Sequence, residues 1–203
     1  MNNLTEIKIT NIPPRSKIGI IGDVLKGKNL IEHFINRFKY DFNIIFSTDF
    51  ETKTDTLVKY TKYDKKEEYN FIFNHLIKYI DYSNYSNEYL IIFDEYCNNN
   101  YFLQKIYFSS NLTIITNNFL QLHLQSMHNY IIIFYIADET VQLHLYNVYF
   151  SKFYETFNNF KIMFDNLNQE PYKTLYTALV VNITNDTSFL YYLKNTFNYE
   201  IEI

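Results

Sequence analysis

Scarcity marks this chain of 203 residues: three glycines, one cysteine, two arginines and no tryptophan. The lone Cys97 excludes an internal disulfide framework and a zinc site built from several cysteines. With arginine only at Arg15 and Arg37, there is little guanidinium for clamping a phosphate donor under a lid. No uninterrupted run reaches about 18 apolar residues, so a transmembrane helix is not expected. Residues 1–10 are polar and lack the apolar stretch of a secretion signal, which points to a soluble intracellular protein. The formal charge of −4 argues against a generally basic surface, leaving positive charge only as a local feature.

What fills the chain instead is 21 Tyr and 19 Phe, alongside abundant Asn, Ile and Lys. All five types have AT-rich codons, so this bias reflects coding composition and carries little functional information. Residues that run against it weigh more. An apolar share of 47% rules out wholesale disorder, and the length suits one domain over residues 1–203. Within it, a nucleotide-binding core is expected over 15–136 and closing helices with a last strand over 137–203.

Apolar runs at 17–21, 43–47, 89–93, 112–116, 130–136 and 178–183 predict strands. Helical spacing predicts helices over 30–38, 69–80, 101–108, 151–164 and 189–196. The charged stretch 49–68 reads as a loop with an exposed helix, and the Asn/Ser-rich 81–88 as a turn. Continuous apolar strands alternating with helices predict an α/β fold: a mostly parallel central sheet flanked by helices on both faces.

All three glycines, Gly19, Gly22 and Gly27, lie within nine residues, where the first apolar strand meets the first helix. Gly22-Asp23-Val24-Leu25-Lys26-Gly27-Lys28-Asn29 has the spacing G-x-x-x-x-G-K of a phosphate-binding loop. Such a loop brings backbone amides and a helix N-terminus up to an anion, and glycine permits that close approach. The Lys28 ammonium would reach the β- and γ-phosphates. The residues expected to bind nucleotide are therefore Gly22, Asp23, Val24, Leu25, Lys26, Gly27, Lys28, Asn29 and Leu30. Asn29 stands where a Ser or Thr hydroxyl usually meets Mg²⁺, and offers a bulkier neutral amide oxygen. Asp23, Val24 and Leu25 also make this loop less glycine-rich than usual. An ordinary strand–turn–helix junction is the plain alternative.

Leu90-Ile91-Ile92-Phe93-Asp94-Glu95 is an apolar strand ending in two carboxylates. In a phosphate-loop fold a strand beside the first delivers such an Asp to the Mg²⁺ shell, and the following Glu polarises water. Asp94 and Asn29 are thus the expected metal contacts, and Glu95 the catalytic base. Leu112-Thr113-Ile114-Ile115-Thr116-Asn117 ends in polar residues that could sit between metal and γ-phosphate, with Asn117 or Thr116 in that role. A strand emptying into an Asn-rich loop explains the same residues equally well.

The order of these parts resembles the poxvirus-type genome-packaging ATPases of large DNA viruses and virophages, within the FtsK–HerA superfamily of P-loop translocases. The resemblance is carried by Pro14-Arg15-Ser16-Lys17-Ile18-Gly19-Ile20-Ile21-Gly22, by Phe42-Asn43-Ile44-Ile45-Phe46-Ser47-Thr48, and by 89–96 and 111–117. It continues through Leu124-Gln125-Ser126-Met127-His128-Asn129-Tyr130-Ile131-Ile132, then 160–172 and 178–182. It implies an RecA/FtsK-like ATPase that binds ATP and Mg²⁺, with Lys28 on phosphate, Asp94 on metal, Glu95 on water and Asn117 in the sensor position. It further implies double-stranded DNA as partner, a homo-oligomeric ring with nucleotide between subunits, and capsid or portal-vertex components. The setting would be an infected cell's cytoplasmic viral factory, and the virion. A ring needs positive charge only along its lumen, which a net-acidic chain permits. Two family arginines are missing, near Gln125 and just before the 112–116 strand, where this chain has Phe108-Ser109-Ser110. Lys105 and His128 are the cations available to replace them.

His33, His75, His123, His128 and His144 are dispersed without metal-ligand spacing, so zinc is not expected. The aromatic stretch 146–164 reads as core packing, and the Lys59 to Lys66 cluster, offset by Asp64, Glu67 and Glu68, as a solvated face. Two rival functions remain: a nucleotide-binding or structural relative without turnover, and a small-molecule kinase, which the shortage of arginine disfavours.

Overall fold

The computed structural model describes residues 5–37, 42–46, 57–60, 89–94, 112–117, 128–167, 176–184 and 187–195. In chain order its strands are β1 (Thr5–Ile7), β2 (Lys17–Ile21), β3 (Phe42–Phe46), β4 (Leu57–Tyr60), β5 (Tyr89–Asp94), β6 (Leu112–Asn117), β7 (Tyr130–Phe134), β8 (Tyr176–Thr184) and β9 (Thr187–Asn195). The α-helices are α1 (Val24–Arg37), α2 (Glu139–Leu145) and α3 (Phe157–Asn166), with a π-helical turn at Tyr146–Phe150.

These strands form one sheet in the order β1-β9-β8-β7-β2-β6-β5-β3-β4. Every pairing is parallel except those that β8 makes with β7 and β9. The reason lies in the strands themselves. Ile18, Ile20, Ile21, the run Leu90 to Phe93 and the run Ile131 to Phe134 are all buried, so along these strands neither face of the sheet meets water.

Side-chain alternation divides the core in two. Ile18, Ile20, Ile132, Phe134 and Val180 turn to one face and pack with Leu30, Ile31, Phe34 and Ile35 of α1. Ile21, Ile131, Ile133, Leu179 and Val181 turn to the other and pack with Leu145, Phe150, Phe160 and Phe164. The second layer is built largely of rings: Phe150 stacks on Phe160 at 4.5 Å and Phe160 on Phe164 at 5.2 Å between centroids. The architecture is thus the expected mostly parallel sheet with helices on both faces.

Three readings need correction. Residues 189–196 do not form a closing helix. Residues 189–195 belong to β9, which Thr184↔Thr187 pairing joins to β8 and whose other edge accepts β1. The charged stretch 49–68 contains a strand, β4, held by parallel pairing to β3. The helix read over 151–164 starts later. Thr156 is extended and its hydroxyl accepts from the Asn159 amide, so α3 begins at Phe157, while α2 precedes it under an Asp138 cap. The helices read over 69–80 and 101–108 and the turn at 81–88 lie outside the described residues.

Candidate nucleotide site

Strand β2 is anchored at its amino end by unusual means. The Ile114 amide donates to the Ser16 carbonyl at 3.1 Å, and Asn129 donates its amide to the Lys17 carbonyl at 2.8 Å. The Asn129 side chain accepts from the Lys17 amide at 3.0 Å. The Lys17 side chain is itself buried and its ammonium donates to the Leu112 carbonyl. Burial pushes the Lys17 ammonium down to about 8. These ties set β2 between β6 and β7, with its carboxyl end in the middle of the sheet.

At that end the chain turns sharply. Gly22 has φ of +116°, and a Cβ there would stand 2.7 Å from the Phe134 carbonyl oxygen. No other residue type fits both the dihedral and the space. The β2–α1 junction therefore lies directly against the end of β7. Gly19 serves a different purpose: a Cβ would meet Ile131 Cδ1 at 3.1 Å and His128 Cδ2 at 3.2 Å, so its absence makes room for the buried His128.

The Gly22-to-Asn29 segment, read as a loop ahead of a helix over 30–38, is instead helical from Val24 onward. The Asp23 carboxylate accepts from the Leu25 amide at 3.0 Å and the Lys26 amide at 3.1 Å, and the Asp23 carbonyl accepts from the Gly27 amide at 2.9 Å. Gly27, Lys28 and Asn29 thus lie within the first two turns of α1. Lys28 sits about 6 Å along the axis from Val24, and the Cα–Cβ bond of a helical residue tilts toward the helix N-terminus. Leu25 is 73% exposed, whereas Leu30 is fully buried in the core.

The expected metal and sensor residues fall on neighbouring strand ends. Asp94 closes β5 and Asn117 closes β6, paired with each other, and Asn117 is level with Ile20 of β2. The Asp94 strand is not beside β2, as the sequence reading had it. Strand β6 is inserted between them, so the two backbones stand about 10 Å apart. Asn117 then occupies the intervening position, between the helix N-terminus and Asp94. Glu95, Cys97, Lys105 and Gln125 lie outside the described residues.

His128, weighed as a replacement for a missing arginine, stands away from the Gly22-to-Lys28 segment of its own chain. It precedes β7 at the amino end of the sheet, buried against Gly19, on the edge opposite the β2–α1 junction. Among the described residues no group of three or more His, Cys, Asp or Glu is placed to hold a metal. A magnesium site needs none, because Mg²⁺ retains water and substrate phosphates around one or two protein oxygens.

A polar network unseen in the sequence braces the β7 side of this edge. Asp165 accepts from the Tyr135 hydroxyl at 3.3 Å, from Gln142 Nε2 at 3.2 Å and from Lys161 Nζ at 3.0 Å. The fully buried Gln142 also donates to the Ile136 carbonyl at 2.8 Å. Burial first, and the Asp165 charge second, push the Tyr135 phenol up. Residues 135 and 136, which leave the sheet beside Gly22, are held by these bonds.

No protein-family model and no curated protein sequence matches this chain. Solved structures do. B204, the DNA-packaging ATPase from Sulfolobus turreted icosahedral virus, is similar over 88% of this chain and 97% of its own, with TM-score 0.59 and 13% identity. The genome-packaging NTPase B204 from Sulfolobus turreted icosahedral virus 2, in complex with AMPPCP, is similar over 88% and 98%, with TM-score 0.59 and 12% identity. Its complex with ATP-gammaS is similar over 89% and 98%, with TM-score 0.57 and 11% identity. The chain shares the fold of viral genome-packaging NTPases over nearly the whole length of those proteins.

Proposed function

We propose that this chain is an ATP- and Mg²⁺-dependent motor that moves viral double-stranded DNA into capsids, acting as a homo-oligomeric ring on a capsid or portal vertex inside an infected cell. The observation that carries the reading is the position of Gly22-x-x-x-x-Gly27-Lys28 at the β2–α1 junction. In a sheet of this strand order that junction is where a phosphate chain meets a helix N-terminus, and Asp94 and Asn117 end the next two strands. Lys28 would neutralise phosphate, Asp94 with Asn29 would hold the metal, and Glu95 would orient water. A bound metal would supply charge neutralisation for the phosphates. The solved packaging NTPases of this fold include complexes with ATP analogues and with AMP. Among the described residues no helix is long and apolar enough to cross a membrane.

The test is Mg·ATP hydrolysis by the purified chain with and without double-stranded DNA. DNA-stimulated turnover is expected, abolished by Lys28→Ala and reduced about 10²- to 10⁴-fold by Glu95→Gln. Turnover indifferent to Lys28→Ala would sink the assignment.

One observation favours a second reading, a nucleotide-binding subunit with little turnover. Asp23 holds the amides that a phosphate would use, and Asn29 stands where a hydroxyl usually meets the metal. Lys28-dependent ATP binding with no hydrolysis would decide for it.

A further inference from the structure

Resting on the phosphate-loop reading, we infer that Gln142 is a positioning residue for the nucleotide's phosphates. It acts through the Ile136 carbonyl, which fixes the end of β7 against which the Gly22 turn is set. The contact between those two segments is backbone on backbone. A Cβ at position 22 would stand 2.7 Å from the Phe134 carbonyl oxygen and 3.2 Å from the carbonyl carbon. With φ of +116° and no side chain, Gly22 offers nothing soft to absorb a shift of β7. A displaced β7 exit is therefore passed to the residue from which the Gly22-to-Lys28 segment starts.

That exit is tied step by step. Phe134 makes the last β7 pairing, to Ala178 of β8. The Tyr135 hydroxyl then donates to Asp165 at 3.3 Å, and the Ile136 carbonyl accepts from Gln142 Nε2 at 2.8 Å. Two residues on, the Asp138 carboxylate caps α2 by accepting from the Thr140 and Val141 amides at 2.8 and 3.2 Å. Of these ties, the one from Gln142 grips the main chain directly after the strand. The same amide donates to Asp165 at 3.2 Å, and Lys161 holds the other Asp165 oxygen at 3.0 Å, so α2 and α3 both anchor the grip. Packing alone does not call for a glutamine here. Gln142 is fully buried, and its Oε1 meets no donor among the described residues. An unmatched buried acceptor destabilises a fold, and a methionine would fill the space without one. What glutamine adds is the pair of donors aimed at Ile136 and Asp165.

The experiment combines calorimetric titration of Mg·ATP and of inorganic tripolyphosphate with amide hydrogen exchange in the absence of nucleotide. It compares the wild-type chain with Gln142→Met, Gln142→Leu, Tyr146→Phe and Lys28→Ala. A folded Gln142 variant is expected to bind both ligands about two- to tenfold more weakly, the loss of one ordinary hydrogen bond. Exchange should rise at the Leu25, Lys26 and Gly27 amides and stay as in wild type through α3. Tyr146→Phe removes hydroxyl bonds to the Tyr154 and Glu155 carbonyls, and should lower the melting temperature without changing affinity. Unchanged tripolyphosphate binding by a folded Gln142 variant, a loss confined to Mg·ATP, or an equal loss in Tyr146→Phe would overturn the positioning role. So would failure of both Gln142 variants to fold, which would make the residue structural. Wild-type binding that needs Lys28 would in each case leave the phosphate-loop reading standing. No binding of either ligand by the wild-type chain would remove both.

Discussion

At the residue scale, two side chains have roles that their type does not announce. Gly22 is irreplaceable because of a dihedral and a carbonyl, so Gly22→Ala should cost roughly 1–3 kcal/mol in urea unfolding. Gly19→Ala, which presses on side-chain atoms of Ile131 and His128 and not on backbone, should cost less. Lys17 makes a sharper prediction through pH. Its ammonium titrates at about 8 in the fold against 10.5 in the open chain. Between those values the unfolded chain holds a proton that the folded chain has released, so stability must rise with pH across that window. Below it both forms are charged and the full burial penalty stands, on the order of 3 kcal/mol. Chemical denaturation between pH 7.5 and 9.5 should show the rise, and Lys17→Met should be flatter and more stable at the lower end. Above about pH 10 the buried Tyr149 phenol, pushed up by burial, opposes the trend, which makes the lower window the informative one.

Elements depend on contacts of quite different strength. Helix α3 is started by one hydroxyl, Thr156 to the Asn159 amide at 3.2 Å, and held down by Phe160 and Phe164. Thr156→Ala should lower stability by about 1 kcal/mol. Phe160→Ala, which empties the centre of the aromatic layer, should lower it by about 3–5 kcal/mol. Thermal melts of the two variants give the comparison, and a similar loss in both would mean that the layer packs loosely. The misreading of residues 189–196 also belongs here. A short apolar run with aromatic residues suits a helix or a strand by periodicity alone. What decides is that β8 and β1 offer it two hydrogen-bonding edges. The one local hint is Asn185-Asp186 between the strands, residue types that suit a tight turn.

For the whole molecule, ligand binding and stability are linked. Nucleotide at 100 times its dissociation constant should stabilise the fold by about 2.7 kcal/mol, and Lys28→Ala should lose that gain. The elements that join at the site come from 17–37, 89–94, 112–117 and 128–134, so stabilisation should spread through the sheet instead of staying in one helix. Hydrogen exchange with and without Mg·ATP reads this directly: protection is expected in β2, β6 and β7 as well as at the start of α1. Protection limited to α1 would mean that the site does not engage the sheet.

Sequence alone determined the parallel α/β class, because strands apolar along their whole length must be buried on both faces. It also singled out the Gly22-to-Lys28 segment, because three glycines in a glycine-poor chain converge on a G-x-x-x-x-G-K spacing. Spacing is a local property, and local patterns survive in one dimension. The tertiary structure decided which strand stands where. Strand β6 separates β2 from β5, His128 is sent to the far edge, and Phe134 limits position 22 to glycine. It also showed that Asp23 closes its own helix, since a carboxylate can cap amides only once the backbone has turned to present them. Such contacts depend on where distant segments or successive dihedrals bring atoms in space, and residue order by itself does not state them.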